Sequence, residues 1–140
     1  ADQPMTSRGA PLSYCMYSVE TQGIEWDWFA SDGDGHVALF ASGGSGQVPP
    51  VLLEHEDAIA ELLQFLGIRC DRESWAVAAR GGIFGYDVDV NGGPFRRVSV
   101  PSNPILLEQV PEPHRSLIGR VTVHDCFSRL RWLDGSNVRF

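Results

Sequence analysis

The sequence contains no lysine, and all 11 of its basic residues are arginine. That absence excludes a lysine nucleophile, a Schiff base and the phosphate-gripping lysine of a P-loop. Cysteine is scarce. Cys15, Cys70 and Cys126 are widely spaced, odd in number and form no C-x-x-C pair. This argues against a disulfide framework or a thiolate zinc site, and for reduced thiols in a cytoplasmic protein. No apolar run approaches the ~20 residues of a membrane-spanning helix. Residues 1–13 carry Arg8 but no apolar segment of the signal-peptide kind. Positive charge is also short: 18 acidic residues leave a formal net charge of -7. Such a chain lacks the basic surface that phosphate contacts require, so the expected partner is a basic protein, with no direct nucleic acid and no membrane.

What is present suits one folded unit. A chain of 140 residues with 43% hydrophobic content can bury a core of its own. Residues 1–12 read as a flexible lead and 13–140 as a single α+β domain. Ser13–Glu20 is a candidate first strand. Trp26 and Trp28 alternate with Asp27 and Phe29, and His36–Ala41 alternates again. The Asp- and Gly-rich Ser31–Gly35 between them has turn chemistry, so the pair predicts a hairpin. Pro49-Pro50 opens a helix over about 50–66, with Leu52, Ile59, Leu62, Leu63 and Leu66 on one side and Gly67 as its stop. Glu54, Asp57 and Glu61 fall on the other side as an acidic stripe. Short helices are expected within Asp71–Ala79 and Glu112–Ile118. Ile83–Val90 and Phe95–Val100 form a second hairpin around Asn91-Gly92-Gly93, which sets Asp87 and Asp89 beside Arg96 or Arg97. Val121–Phe127 reads as a last strand, and Arg129–Phe140 as one more hairpin. The predicted class is α+β, a mostly antiparallel sheet with one dominant amphipathic helix packed on it.

Each constellation that resembles a reactive site departs from its template. Asp32-Gly-Asp34-Gly-His36 has two carboxylates and an imidazole in one turn. An EF-hand loop starting at Asp32 would need Gly at position 6 and Glu at 12, where Val37 and Gly43 stand. His55-Glu56 begins an H-E-x-x-H motif, but Ile59 occupies the second histidine position. Gly44-Ser45-Gly46 lacks the last glycine of a nucleophile elbow, since residue 47 is Gln. No catalytic residue, metal or cofactor is therefore assigned. The expected partner-binding residues are Asp32, Asp34, His36, Glu54, Asp57, Glu61, Asp87 and Asp89, acidic groups near aromatic residues that would anchor an interface.

Trp26-Asp-Trp-Phe-Ala30, Asp34-Gly-His-Val-Ala38, Phe40 and the Gly43–Gly46 run before Pro49, together with Phe84–Ile105, resemble small bacterial proteins of compact, acidic, motif-poor type. Such chains are similar to immunity proteins of polymorphic toxin and contact-dependent inhibition systems. The resemblance implies a non-enzymatic cytoplasmic inhibitor that binds and occludes a cognate toxin domain, often a nuclease. It carries no functional residue across. The readings of another class are a small metal-dependent hydrolase using the Asp32–His36 loop and a regulatory scaffold domain that binds proteins.

Overall fold

The computed structural model describes residues 26–43, 47–69, 73–88 and 93–139; the expected flexible lead and the strand at Ser13–Glu20 lie outside these. Asp27–Ser31 (β1) and Val37–Ala41 (β2) form the hairpin expected from their alternation, in a register that runs from Asp27 opposite Ala41 to Ser31 opposite Val37. The alternation does not separate an inner from an outer face. Trp28, Phe29, Ala30 and Val37 to Phe40 are all at or below 2% exposure. A hairpin covered on both sides belongs at the centre of a sheet, and that is its place here.

Among the described residues the sheet has seven strands, in the order β6-β4-β3-β2-β1-β5-β7. Its other members are Phe84–Val88 (β3), Phe95–Ser99 (β4), Thr122–Val123 (β5), Trp132–Leu133 (β6) and Val138–Arg139 (β7). Pairing is antiparallel except for β2 with β3 and β1 with β5. The parallel β2–β3 pair needs a crossover. Glu56–Leu66 (α1) and Ser74–Arg80 (α2) lie within that connection.

The sheet must curl. Strands β6 and β7 are its two edges, yet only Asp134–Asn137 separates them in sequence. Stretched fully, the link from Leu133 to Val138 reaches at most about 17 Å. Six strand spacings laid flat would need about 29 Å. The expected hairpin over Arg129–Phe140 is thereby corrected: its two short strands pair with β4 and β5, not with each other. The strand expected at Val121–Phe127 also ends early, at Val123. Beyond it the chain runs across the inside of the curl. There Phe127 meets Phe40, Phe84 and Tyr86.

That inner face is aromatic because register aligns rings on neighbouring strands. Trp28 faces Phe40, and Phe40 faces Tyr86. Their rings stack at 4.1 and 5.0 Å, with Phe95 edge-on to the first two at 5.7 and 5.4 Å. Such pairs add about 0.5–1.5 kcal/mol each beyond the area they bury. Helices cover the outer face. Ile59 and Leu62 of α1, Ala78 of α2, and Leu117 and Ile118 of His114–Ile118 (α3) join the same core. Gly85 admits α2 closely: a Cβ there would stand 2.5 Å from the Trp75 ring.

The dominant helix starts later than its periodicity suggests. Pro49 and Pro50 set up a 3-10 turn over Pro50–Leu52, and His55 adopts a non-helical φ of -118° and ψ of 28°. Prolines that lack N–H donors begin a helical turn readily, but they do not oblige it to continue. The α-helix therefore begins at Glu56, with Glu56 and Asp57 at its positive end. It ends as expected at Gly67, whose φ is 72°, while Ile68 N–H returns to the Leu63 carbonyl.

Candidate functional site

The Asp32–His36 turn is built around one carboxylate. Asp32 Oδ1 accepts the backbone N–H of Asp34 and of His36, each at 2.9 Å. Asp32 Oδ2 accepts Phe127 N–H at 2.8 Å, across 95 residues of chain. The Gly33 N–H donates to the Asp125 carbonyl beside it. Asp32 is 8% exposed. The expectation that it offers its charge to a partner is thus corrected: it is an internal clasp joining the hairpin tip to the 124–130 segment. A composition rich in Asp and Gly marked the turn, but the Phe127 N–H that consumes the carboxylate is remote in sequence.

Asp34 and His36 remain near the surface. Asp34 is exposed and its carboxylate accepts from the Cys126 thiol; that hydrogen bond, with burial second, raises the thiol pKa. Arg129 also reaches Cys126 Sγ at 3.4 Å and donates to Asp125 Oδ1 at 2.8 Å, which holds the Asp125 carboxyl below its ordinary value. His36 is half-buried; its ring lies 5.8 Å from that of Phe84, and its buried Nδ1 has no hydrogen-bond partner among the described residues. One ligand atom each from Asp32, Asp34 and His36 lie within 4.8 Å of one another.

The helical acids behave as anticipated in exposure, with one change of place. Glu54 sits in the turn before α1 rather than on it, while Asp57 and Glu61 are on the helix; all three face solvent, as does Glu56. One residue that the acidic pattern did not single out completes this row. Phe65 follows Asp57 and Glu61 at i+4 spacing and is 56% exposed, its ring 4.7 Å from that of His114 on α3. Placed four residues beyond Glu61, it is legible in the sequence once the helix register is fixed.

The next residue of α3, Arg115, lines a cavity of ≈ 420 Å³ with Asp34, Gly35, Leu106, Leu107 and Glu108. Helix α3 therefore stands between the α1 row and the Asp34 turn, and its contacts reach both α1 and β1. Asp34 and the α1 acids belong to one stretch of surface. Asp87 does not: it is half-buried on β3, opposite Arg96 in the ladder, and Asp89 lies outside the described residues.

No protein-family model matches the chain, and comparison with curated proteins and with solved structures finds no match either. The site must be read from its own chemistry. The α1–α3–turn surface presents Glu54, Glu56, Asp57, Glu61, Asp34 and Glu108 around the exposed Phe65 and the apolar lining at Leu106 and Leu107. Carboxylates in that arrangement attract a cationic surface over a distance of about a Debye length, ~8–10 Å. An exposed aromatic ring among them supplies the contact area that holds it. None of the helices described is long and apolar enough to cross a membrane.

Proposed function

We propose that the chain is an immunity-type inhibitor, which binds a cognate bacterial toxin domain of basic surface and occludes its active site or substrate face. The observation that carries this reading is the row Asp57–Glu61–Phe65, exposed along one side of α1 with Glu54 and Glu56 ahead of it. The net charge of -7 extends the same field over the molecule. Acidic inhibitors of this kind gain association rate by steering, and a nuclease cleft has the opposite sign. The protein acts by stoichiometric binding in the cytoplasm and performs no chemistry. The test is to find whether a neighbouring reading frame encodes a large protein with a variable C-terminal domain, and to co-express that domain with this chain. Growth rescued by this chain, with a one-to-one complex on gel filtration, supports the reading. A domain that remains fully toxic beside it contradicts the reading.

A second reading, a small metal-dependent hydrolase at the 32–36 turn, is favoured by one observation: the Asp32, Asp34 and His36 ligand atoms converge and His36 Nδ1 has no partner among the described residues. Three ligands with an open fourth position would suit a catalytic zinc. Against it, Asp32 already accepts three backbone N–H groups. Stoichiometric metal in the purified protein, lost in Asp34→Ala, decides for this reading; metal-free protein after dialysis against zinc decides against it.

A further inference from the structure

The acidic face does not extend to the edge formed by β4 and β6. There Arg96 stands opposite Trp132 in the ladder, and Arg97 N–H donates to the Arg131 carbonyl. Gly85 faces Ser99 while Tyr86 faces Arg97, so Val98 is an extra residue in β4. A bulge of this kind bends its strand and re-aims its side chains. The result is a groove of ≈ 410 Å³ lined by Arg96, Arg97, Val98, Val100, Arg131 and Trp132. Val100 is 56% exposed and Trp132 49% exposed. Arg97 is committed inward, its guanidinium donating to the Phe127 carbonyl. Arg96 and Arg131 are exposed, and among the described residues their guanidinium groups make no hydrogen bond or ion pair, Asp87 opposite Arg96 included.

We infer that this groove docks a carboxylate-bearing peptide segment of a partner protein, one in which Asp or Glu alternates with apolar side chains. Two unpaired guanidinium groups offer planar forks that fit carboxylates, and an arginine beside an exposed indole binds such a group with less desolvation than a lone ammonium would. Val98, Val100 and Trp132 supply the apolar floor for the residues between the acids. Charge complementarity selects this occupant. An acidic segment is repelled by the rest of a chain of net charge -7 and finds its complement where the arginines cluster. A nucleic-acid strand needs a longer basic track than this short groove offers. The surface is separate from α1 and selects the opposite charge, so this inference and the toxin-binding reading stand or fall independently.

The test uses the full chain and a fluorescein-labelled peptide of alternating Glu and Leu residues, followed by fluorescence anisotropy at low salt. A Lys–Leu peptide of equal length and a labelled single-stranded oligonucleotide serve as comparisons. Saturable binding of the Glu–Leu peptide, weakened roughly tenfold or more in Arg96→Glu/Arg131→Glu and in Trp132→Ala but unchanged in Asp57→Arg/Glu61→Arg, supports the inference. All five positions are exposed, and circular dichroism verifies the fold of each variant. No saturable binding, binding that survives the arginine reversals, or tighter binding of either comparison probe overturns it.

Discussion

Replacing Asp32 by Ala removes the acceptor of three backbone N–H groups at once. The magnitude follows from where those donors are. Phe127 N–H is buried beneath the aromatic stack, and stranding it costs about 1–3 kcal/mol. The Asp34 and His36 N–H groups lie in a partly solvated turn, where water replaces the carboxylate at about 0.5–1 kcal/mol each. The expected loss is about 3 kcal/mol, a large share of the ~5–15 kcal/mol that holds a domain folded. For a chain of this size that lowers Tm by about 10 °C. Urea unfolding is the assay: the midpoint should fall with an unchanged slope, since the surface exposed on unfolding stays the same. Asp32→Asn, whose amide oxygen can keep the two turn bonds, should lose about 2 kcal/mol. Asp34→Ala, at an exposed position, should lose under about 1 kcal/mol. An Asp32→Ala protein within about 0.5 kcal/mol of the parent would refute the clasp.

Two further outcomes are expected. Gly82→Ala should cost about 2–4 kcal/mol, because φ is +85° and the new Cβ would meet Ile105 N at 2.7 Å and the Asn103 carbonyl at 2.9 Å; Gly67→Ala, with φ +72° and nothing within 4 Å, should cost only about 1 kcal/mol, and thermal unfolding of the pair separates clash from strain. Tyr86 has its phenol pKa raised, first by burial, while its hydroxyl donates to the Leu130 carbonyl at 2.6 Å. Its contribution to stability is complete below the ordinary phenol pKa of ~10 and falls as pH rises above it, since the unfolded chain releases a proton the folded one keeps. Tyr86→Phe should flatten the alkaline limb of the stability curve; an identical limb in both proteins would contradict the assignment.

The central hairpin was legible because period-two alternation, turn composition and β-rich residues agreed over Trp26–Ala41. The acidic helix face was legible from 3.6-residue spacing. What escaped was everything set by remote contact. Nothing near Asp32 announces that Phe127 will take its carboxylate. Val121–Phe127 alternates like a strand, yet it leaves the ladder after Val123, and Asp125 turns with φ 141° so that Phe127 can enter the core. The two strands of Arg129–Phe140 are neighbours in sequence, but the curl of the sheet gives each a closer partner elsewhere. Pro49-Pro50 marked a helical start that local geometry then interrupted at His55. Arg96 and Arg131 are far apart in sequence, and only the β4–β6 ladder brings them together.

The proposed acidic-face mechanism is tested most directly by the association rate of this chain with a toxin domain that it neutralises on co-expression, measured by stopped flow across a salt series. Steered capture predicts a rate that falls steeply with salt, and Asp57→Arg/Glu61→Arg slowing it about tenfold at low salt while flattening the salt dependence. Phe65→Ala should act on dissociation instead, raising that rate with little change in association. An association rate in Asp57→Arg/Glu61→Arg equal to the parent's at every salt concentration would contradict docking through α1.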